Sequence, residues 1–290
     1  MLQQTRVAAV LNHYERFLKR YPDVQTLARS RQASVLAAWS GLGYYRRARM
    51  MHQAAQQIVR DRSGQLPETA EQWRELPGIG RYTAAAIASI AYGEACAVVD
   101  GNVERVLQRL LRRRTLDPWQ AANELLSRRR PGDFNQAMME LGATICTPRA
   151  PKCPACPVRQ WCRSAKAEAL PTTTKGAQPR QKVFLAYALA RDGDRVLLTP
   201  RNEHETVMPG MWELPAAALA RSSAESQFTL RHAIMNVDYR VLVITGPSRR
   251  RLTRIDADLM RKGQWFSPRR ITGLPLTGLA RKILKQAKII

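Results

Sequence analysis

The chain is poor in acid. Its 290 residues carry 23 Asp and Glu against 47 Lys and Arg, a formal net charge of +24, with a pI near 10.9. So large a surplus fits poorly with a merely solvated basic surface and points to a polyanion, nucleic acid first. Long apolar runs are missing too. None approaches the ~20 residues that a membrane helix needs, which argues against a membrane span or partner. The opening stretch MLQQTRVAAVLNHYERFLKR sets polar residues between its apolar ones and does not read as a signal peptide. We therefore expect a reducing cytoplasmic setting. Cysteine is scarce, five residues in all. Cys96 stands alone in an apolar stretch and is expected in the core.

The other four cysteines crowd together. Cys146, Cys153, Cys156 and Cys162 follow the spacing C-x6-C-x2-C-x5-C, threaded by Pro148, Pro151, Pro154 and Pro157. Proline presets φ and keeps such a segment out of helix, leaving a loop that can wrap a small inorganic group. A cubane iron–sulfur cluster takes four cysteines, and tetrahedral zinc takes the same number. Two disulfides would need an oxidising compartment. Spacing alone does not decide between iron cluster and zinc.

The hydrophobic fraction of 45% is ordinary for a globular chain with one or two cores. Residues 1 to about 145 predict helices. Val7, Val10, Leu11, Tyr14, Phe17 and Leu18 recur at spacings of three and four, as on one face of an amphipathic helix. Breaks fall at Gly41-Leu42-Gly43, Ser63-Gly64, Pro77-Gly78 and Pro131-Gly132. The polar stretch from about 166 to 180 reads as a linker. Beyond it the pattern changes. Apolar runs at 183–190 and 196–198 flank Arg191-Asp192-Gly193-Asp194, a hairpin signal. Tyr239 to Ile244 and Gln264 to Phe266 read as further strands, and Leu279 to Ile290 as helix. The expectation is a multi-domain chain: an all-α domain over 1–165 closed by the cysteine loop, a linker over 166–180, and a smaller α+β domain over 181–290.

Two motifs carry chemistry. Leu76-Pro77-Gly78-Ile79-Gly80-Arg81-Tyr82-Thr83-Ala84 is a glycine-rich turn between helical segments. Gly78 and Gly80 allow backbone N–H groups to approach a phosphate, and the next helix offers its positive end. Such a hairpin grips a DNA backbone without reading sequence, although Pro-Gly-x-Gly alone also serves as a plain helix–helix turn. Val98-Val99-Asp100-Gly101-Asn102-Val103 places Asp100 where a helix N-cap belongs. A carboxylate held beside apolar groups would also stabilise a nearby cation. The two roles are compatible. Arginine runs at 112–114 and 128–130 read as helix faces or ends rather than reading heads.

Taken together, LPGIGRYTA, VVDGNV and the four cysteines resemble the helix-hairpin-helix DNA glycosylases that carry an iron–sulfur cluster. MLQQT, GLGYYRRAR and FNQAMMELGATIC narrow the resemblance to the adenine DNA glycosylase (MutY) family, over nearly the whole chain. The resemblance implies a 4Fe-4S cluster on Cys146, Cys153, Cys156 and Cys162, and base excision repair of double-stranded DNA by a monomer. Adenine mispaired with 8-oxoguanine or guanine would be flipped out of the helix and its N-glycosidic bond hydrolysed. Asp100 matches the aspartate that stabilises the oxocarbenium-like sugar, and Asn102 a residue holding sugar or water. Gln136 matches a contact to the flipped base. Gln3, Gln4 and Tyr44, with Thr5 beside them, match groups that enter the duplex around the oxidised guanine. Gly78, Gly80 and Arg81 keep the phosphate role. At Tyr82, relatives that also cut the strand place a Schiff-base lysine; tyrosine implies a monofunctional hydrolase. The cations of the cysteine loop, Lys152, Arg159 and Arg163, either face phosphate or only brace the loop.

Two departures follow. The family has a glutamate, its general acid, two residues before the methionine of MLQQT. Here that methionine is residue 1, as in a truncated chain, and Glu15 lies too far along the helix to stand in. Loss of a general acid costs about 10²–10⁴ in rate, so a catalytically impaired or silent lesion-binding protein is the alternative. The last domain resembles the Nudix-like, MutT-like module that senses the lesion, with Arg201 and Met211-Trp212-Glu213-Leu214-Pro215 fitting it. PAAALARSSAE replaces the acidic run of a pyrophosphatase, so the module should bind and not hydrolyse. Ile234-Met235-Asn236 stands where many members have Phe-Ser-His, leaving Asn236 as the candidate contact to the lesion.

Overall fold

The structure, a computed structural model, describes residues 1–3, 5, 7–113, 115, 117–166, 180–202, 205, 208–217, 227–234, 236–245 and 262–290. Gln4, Met235, most of the expected linker and much of the PAAALARSSAE stretch lie outside these residues. Contacts group the chain into two compact units, residues 60–177 and residues 1–59 with 178–290.

In the second of these, four helices come first: α1 (Val7–Arg20), α2 (Val24–Arg29), α3 (Gln32–Trp39) and α4 (Arg46–Arg62). Asp23 caps α2 by accepting from Thr26 N at 2.6 Å. Phe17 meets Trp39 edge-on, with ring centroids 6.0 Å apart, in a core that includes Val10, Val35 and Leu36. The expected apolar face of α1 is only partly used. Val10 and Phe17, seven apart, are buried, while Val7, Leu11, Tyr14 and Leu18 are 44–60% exposed. Val10 and Phe17 lie at one edge of the stripe, and that edge is the part that meets the core.

The strands of this unit are β1 (Gln181–Leu189), β2 (Arg191–Asp192), β3 (Arg195–Pro200), β4 (Trp212–Glu213), β5 (Gln227–Ile234), β6 (Val237–Thr245) and β7 (Gln264–Phe266), followed by α10 (Pro268–Ile271) and α11 (Gly278–Gln286) after the helices of the other unit. Gly193 turns the chain at φ 61°, as Asp-Gly predicts. The long partner of β1 is nevertheless β6, parallel, with Val183 opposite Tyr239. On the near side of the turn the ladder to β3 is confined to Arg191 and Asp192, while β3 pairs further with β4 and β7. The dipeptide sets the turn but not how far pairing continues. β1 leaves it to bury Tyr187 and Leu189 against Val241, Val243 and Ile283 of α11. Strand β5, which no sequence signal named, completes the order β1-β6-β5. The turn between α3 and α4 bonds to this late segment: Tyr45 Oη donates to Leu276 O at 3.3 Å, and Arg281 Nη2 to Ser40 Oγ at 2.7 Å.

Residues 60–177 hold α5 (Ala70–Arg74), α6 (Arg81–Ala91), α7 (Gly101–Leu111), α8 (Pro118–Leu125) and α9 (Pro131–Glu140), then a π-turn over Leu141–Ile145 and short 3₁₀ turns. Pro118 opens α8 behind the cap Asp117, as proline at a first helical position does. Val103, Val106 and Leu107 of α7 pack against Ala121, Ala122 and Met138. A Cβ on Gly142 would lie 2.7 Å from Asn102 Cβ, so only glycine lets the π-turn come this close to the start of α7.

Candidate active site and cysteine cradle

Asp100 caps α7 and is tied to it three times. Its Oδ1 accepts from Asn102 N at 2.9 Å and Val103 N at 2.8 Å, and its Oδ2 accepts from Asn102 Nδ2 at 3.3 Å. Val98 and Val99 before it are buried. The carboxylate thus sits at the positive end of a helix, with its rotamer fixed. Tyr82, on the first turn of α6, donates through its hydroxyl to Met139 Sδ at 3.3 Å. Burial, and next the charge of Asp100, push its phenol above the ordinary value, which keeps it protonated. Asp100 and Asn102 are thus bonded to each other, and Tyr82 is near enough to feel the Asp100 charge.

The network continues behind Asp100 through residues that sequence reasoning missed. Asn102 Oδ1 accepts from Arg105 Nη2 at 2.9 Å. Arg105 also donates to Gly142 O at 2.7 Å and to Cys146 O at 2.9 Å. One turn on, Arg109 donates to Thr147 O and Pro148 O, each at 2.8 Å, and its Nη1 reaches Cys146 Sγ at 3.5 Å. Both arginines are buried. Two arginines four apart inside the apolar stripe of α7 are the signal that could have found them.

Cys146, Cys153, Cys156 and Cys162 are free thiols, none fully exposed, and they line one cavity with Arg109, Arg159, Ile145, Pro151 and Ala165. The Cys162 thiol donates to Arg109 O at 3.6 Å. Among the described residues, no three His, Cys, Asp or Glu side chains converge as holders of a single metal ion.

Gly78 sits at φ 76°, a conformation that favours glycine. Gly80 is the N-cap of α6 and makes no side-chain cap hydrogen bond, at a helix end whose dipole favours an anion. Arg81 lies over the Trp119 ring, 3.8 Å from its centroid. Gln136 is exposed and donates to Gly132 O at 3.3 Å. In the other unit, Tyr44 is 47% exposed, with φ 48°. Gln3 and Thr5 meet Arg47: Gln3 through its carbonyl, Thr5 through its hydroxyl at 2.9 Å. Asn236 is exposed in the β5–β6 turn, where its carbonyl accepts from Gln181 N at 2.9 Å. Cys96 is half-buried rather than fully buried. Its thiol donates to Ala85 O at 3.6 Å, and burial pushes it up to about 11.

Residues 1–131 match the HhH-GPD superfamily base excision DNA repair proteins. Adenine DNA glycosylase of Homo sapiens is 49% identical over 174 residues, covering 57% of this chain and 32% of that protein. The Arabidopsis thaliana protein of the same name is 39% identical over 277 residues, covering 81% of this chain and 43% of that one. The chain thus spans a third to under a half of the length of these relatives. Among solved structures, a thermostable thymine-DNA glycosylase is 28% identical with a TM-score of 0.53, covering 57% of this chain and 79% of that one. A trapped endonuclease III–DNA covalent intermediate is 25% identical with a TM-score of 0.51, covering 57% and 80%. The chain is thus similar to the HhH-GPD base excision DNA repair proteins over residues 1–131 and to adenine DNA glycosylases over 57–81% of its length.

Proposed function

We propose that the protein is a DNA N-glycosylase that hydrolyses the N-glycosidic bond of adenine mispaired with 8-oxoguanine or guanine in double-stranded DNA. The observation that carries this reading is the Asp100 carboxylate, tied to α7 by three hydrogen bonds. As the C1′–N9 bond breaks, positive charge develops on the sugar, and a carboxylate that need not reorganise stabilises it. The electron pair leaves with the base, and water supplies the hydroxyl to C1′ and its proton to the departing adenine. Asn102, bonded to Asp100, orients sugar or water. Gln136 contacts the extruded base. The N-terminus of α6 after Gly78 and Gly80, with Arg81, receives a backbone phosphate. Tyr82 has no amine for a Schiff base, so the strand stays intact. In the last domain, Asn236 contacts the lesion within a Nudix-like module.

The cysteines suit a 4Fe-4S cluster: four unpaired thiols face one cavity, and Arg109 and Arg159 there offset thiolate charge. Such a cluster would brace the loop through four thiolate bonds, and no step of base removal passes through it.

Incubation with an A:8-oxoguanine duplex should give free adenine and an alkali-labile site in an otherwise intact strand. A borohydride-trapped DNA adduct in good yield would overturn the monofunctional assignment. Failure to release adenine faster than from a T:A control would overturn the reading itself.

A further inference from the structure

Arg47, in the first turn of α4, gathers two stretches of chain that share no secondary structure. Its Nη1 donates to Met1 O at 2.8 Å and to Gln3 O. Its Nη2 donates to Thr5 Oγ1 at 2.9 Å, and more loosely to Gly43 O at 3.3 Å and Leu42 O at 3.4 Å. The guanidinium carbon lies 5.3 Å from the Trp39 ring centroid and 5.5 Å from that of Tyr44. Its Nε is buried without a hydrogen-bond partner, so the group is committed to these contacts at some desolvation cost.

The turn it holds is a demanding one. Gly41, Gly43 and Tyr44 have φ of 108°, 69° and 48°. For a non-glycine residue such as Tyr44 the left-handed region is strained and persists only where surroundings impose it. The Tyr44 ring is nonetheless exposed, presented outward from a strained turn rather than packed away.

We propose that Arg47 is a positioning residue for mispair recognition. Its planar fork clamps Met1, Gln3 and Thr5 to the turn 41–44 and fixes, before DNA arrives, the relative placement of Gln3, Thr5 and the Tyr44 ring. The inference rests on the reading that these residues enter the duplex. Preorganisation of this kind raises affinity for the shape that needs it and leaves backbone binding alone. Lysine keeps the charge but loses the planar fork and the paired donors.

The test uses the full chain with R47K. Binding is measured to an A:8-oxoguanine duplex and to a matched duplex of the same sequence, and backbone amide exchange of residues 1–6 is followed without DNA. R47K should lose tenfold or more in mispair affinity while matched-duplex affinity stays within twofold, and exchange at Thr5 should rise at least tenfold. A merely structural role would move both duplexes together. Retained mispair preference in R47K overturns the proposal. If the wild type itself shows no mispair preference, the proposed function fails; exchange then decides the clamp alone, and unchanged protection at Thr5 overturns it. Should R47K not fold, Thr5→Val removes one acceptor and is read the same way, with a two- to fivefold change expected and none contradicting the clamp.

Discussion

At the residue scale, the account rests on how firmly Asp100 is held. Its cap role was legible from Val-Val-Asp-Gly-Asn, because Asp before a helix is a local preference. Arg105 was not, because its acceptors, Gly142 O and Cys146 O, lie about forty positions away and meet it only in the folded unit. Arg105→Met should leave two half-buried carbonyls unpaired, at about 1–3 kcal/mol each, and should unlatch Asn102 from behind. A melting temperature unchanged from wild type would contradict this. Cys96 gives a second check. Its thiol, pushed up to about 11 by burial, is protonated at pH 8, and only thiolate attacks an alkylating reagent. In the folded protein Cys96 should be alkylated at pH 8 far more slowly than after denaturation, with the rate rising as pH approaches 11. Equal rates in both states would contradict the burial argument.

At the element scale, local patterns located the start of α7 at Asp100 and the turn at Gly78. They did not reveal that β1 would pair with β6 rather than β3, since its partner's first residue, Val237, lies 56 positions beyond Gln181 and pairing is settled by which apolar faces can be buried together. The wide apolar stripe of α1 likewise said helix but not which residues would be covered. Gly78 carries a testable consequence. A Cβ at φ 76° is strained by about 1–2 kcal/mol, so Gly78→Ala should distort the turn before α6 and weaken binding to every duplex by a similar factor, without changing preference among them. An effect confined to mispaired DNA would contradict its placement on phosphate. The cysteine loop is tested by composition. The protein prepared under reducing, anaerobic conditions should carry about four irons and four sulfides per chain, as a cubane requires, and Cys153→Ser should lower both. One zinc per chain would contradict the assignment.

At the scale of the whole molecule, the charge of +24 sets how the chain meets its partner. Neutralising about six phosphates makes affinity fall about 10³-fold between 50 and 200 mM salt. A nearly flat salt dependence would mean that the basic surplus is not spent on DNA. No helix among the described residues is long and apolar enough to cross a membrane. One compact unit bears Asp100 and the cysteines, the other Tyr44 and Asn236; under the proposed function, bond breaking falls to the first and lesion reading to the second. Removing the carboxylate should therefore leave recognition in place and abolish chemistry. The most direct measurement is single-turnover release of adenine from an A:8-oxoguanine duplex by the wild type and by Asp100→Asn, with duplex affinity measured alongside. The prediction is a loss of at least ~10² in rate, with affinity unchanged within threefold. Adenine release by Asp100→Asn at the wild-type rate would contradict the account.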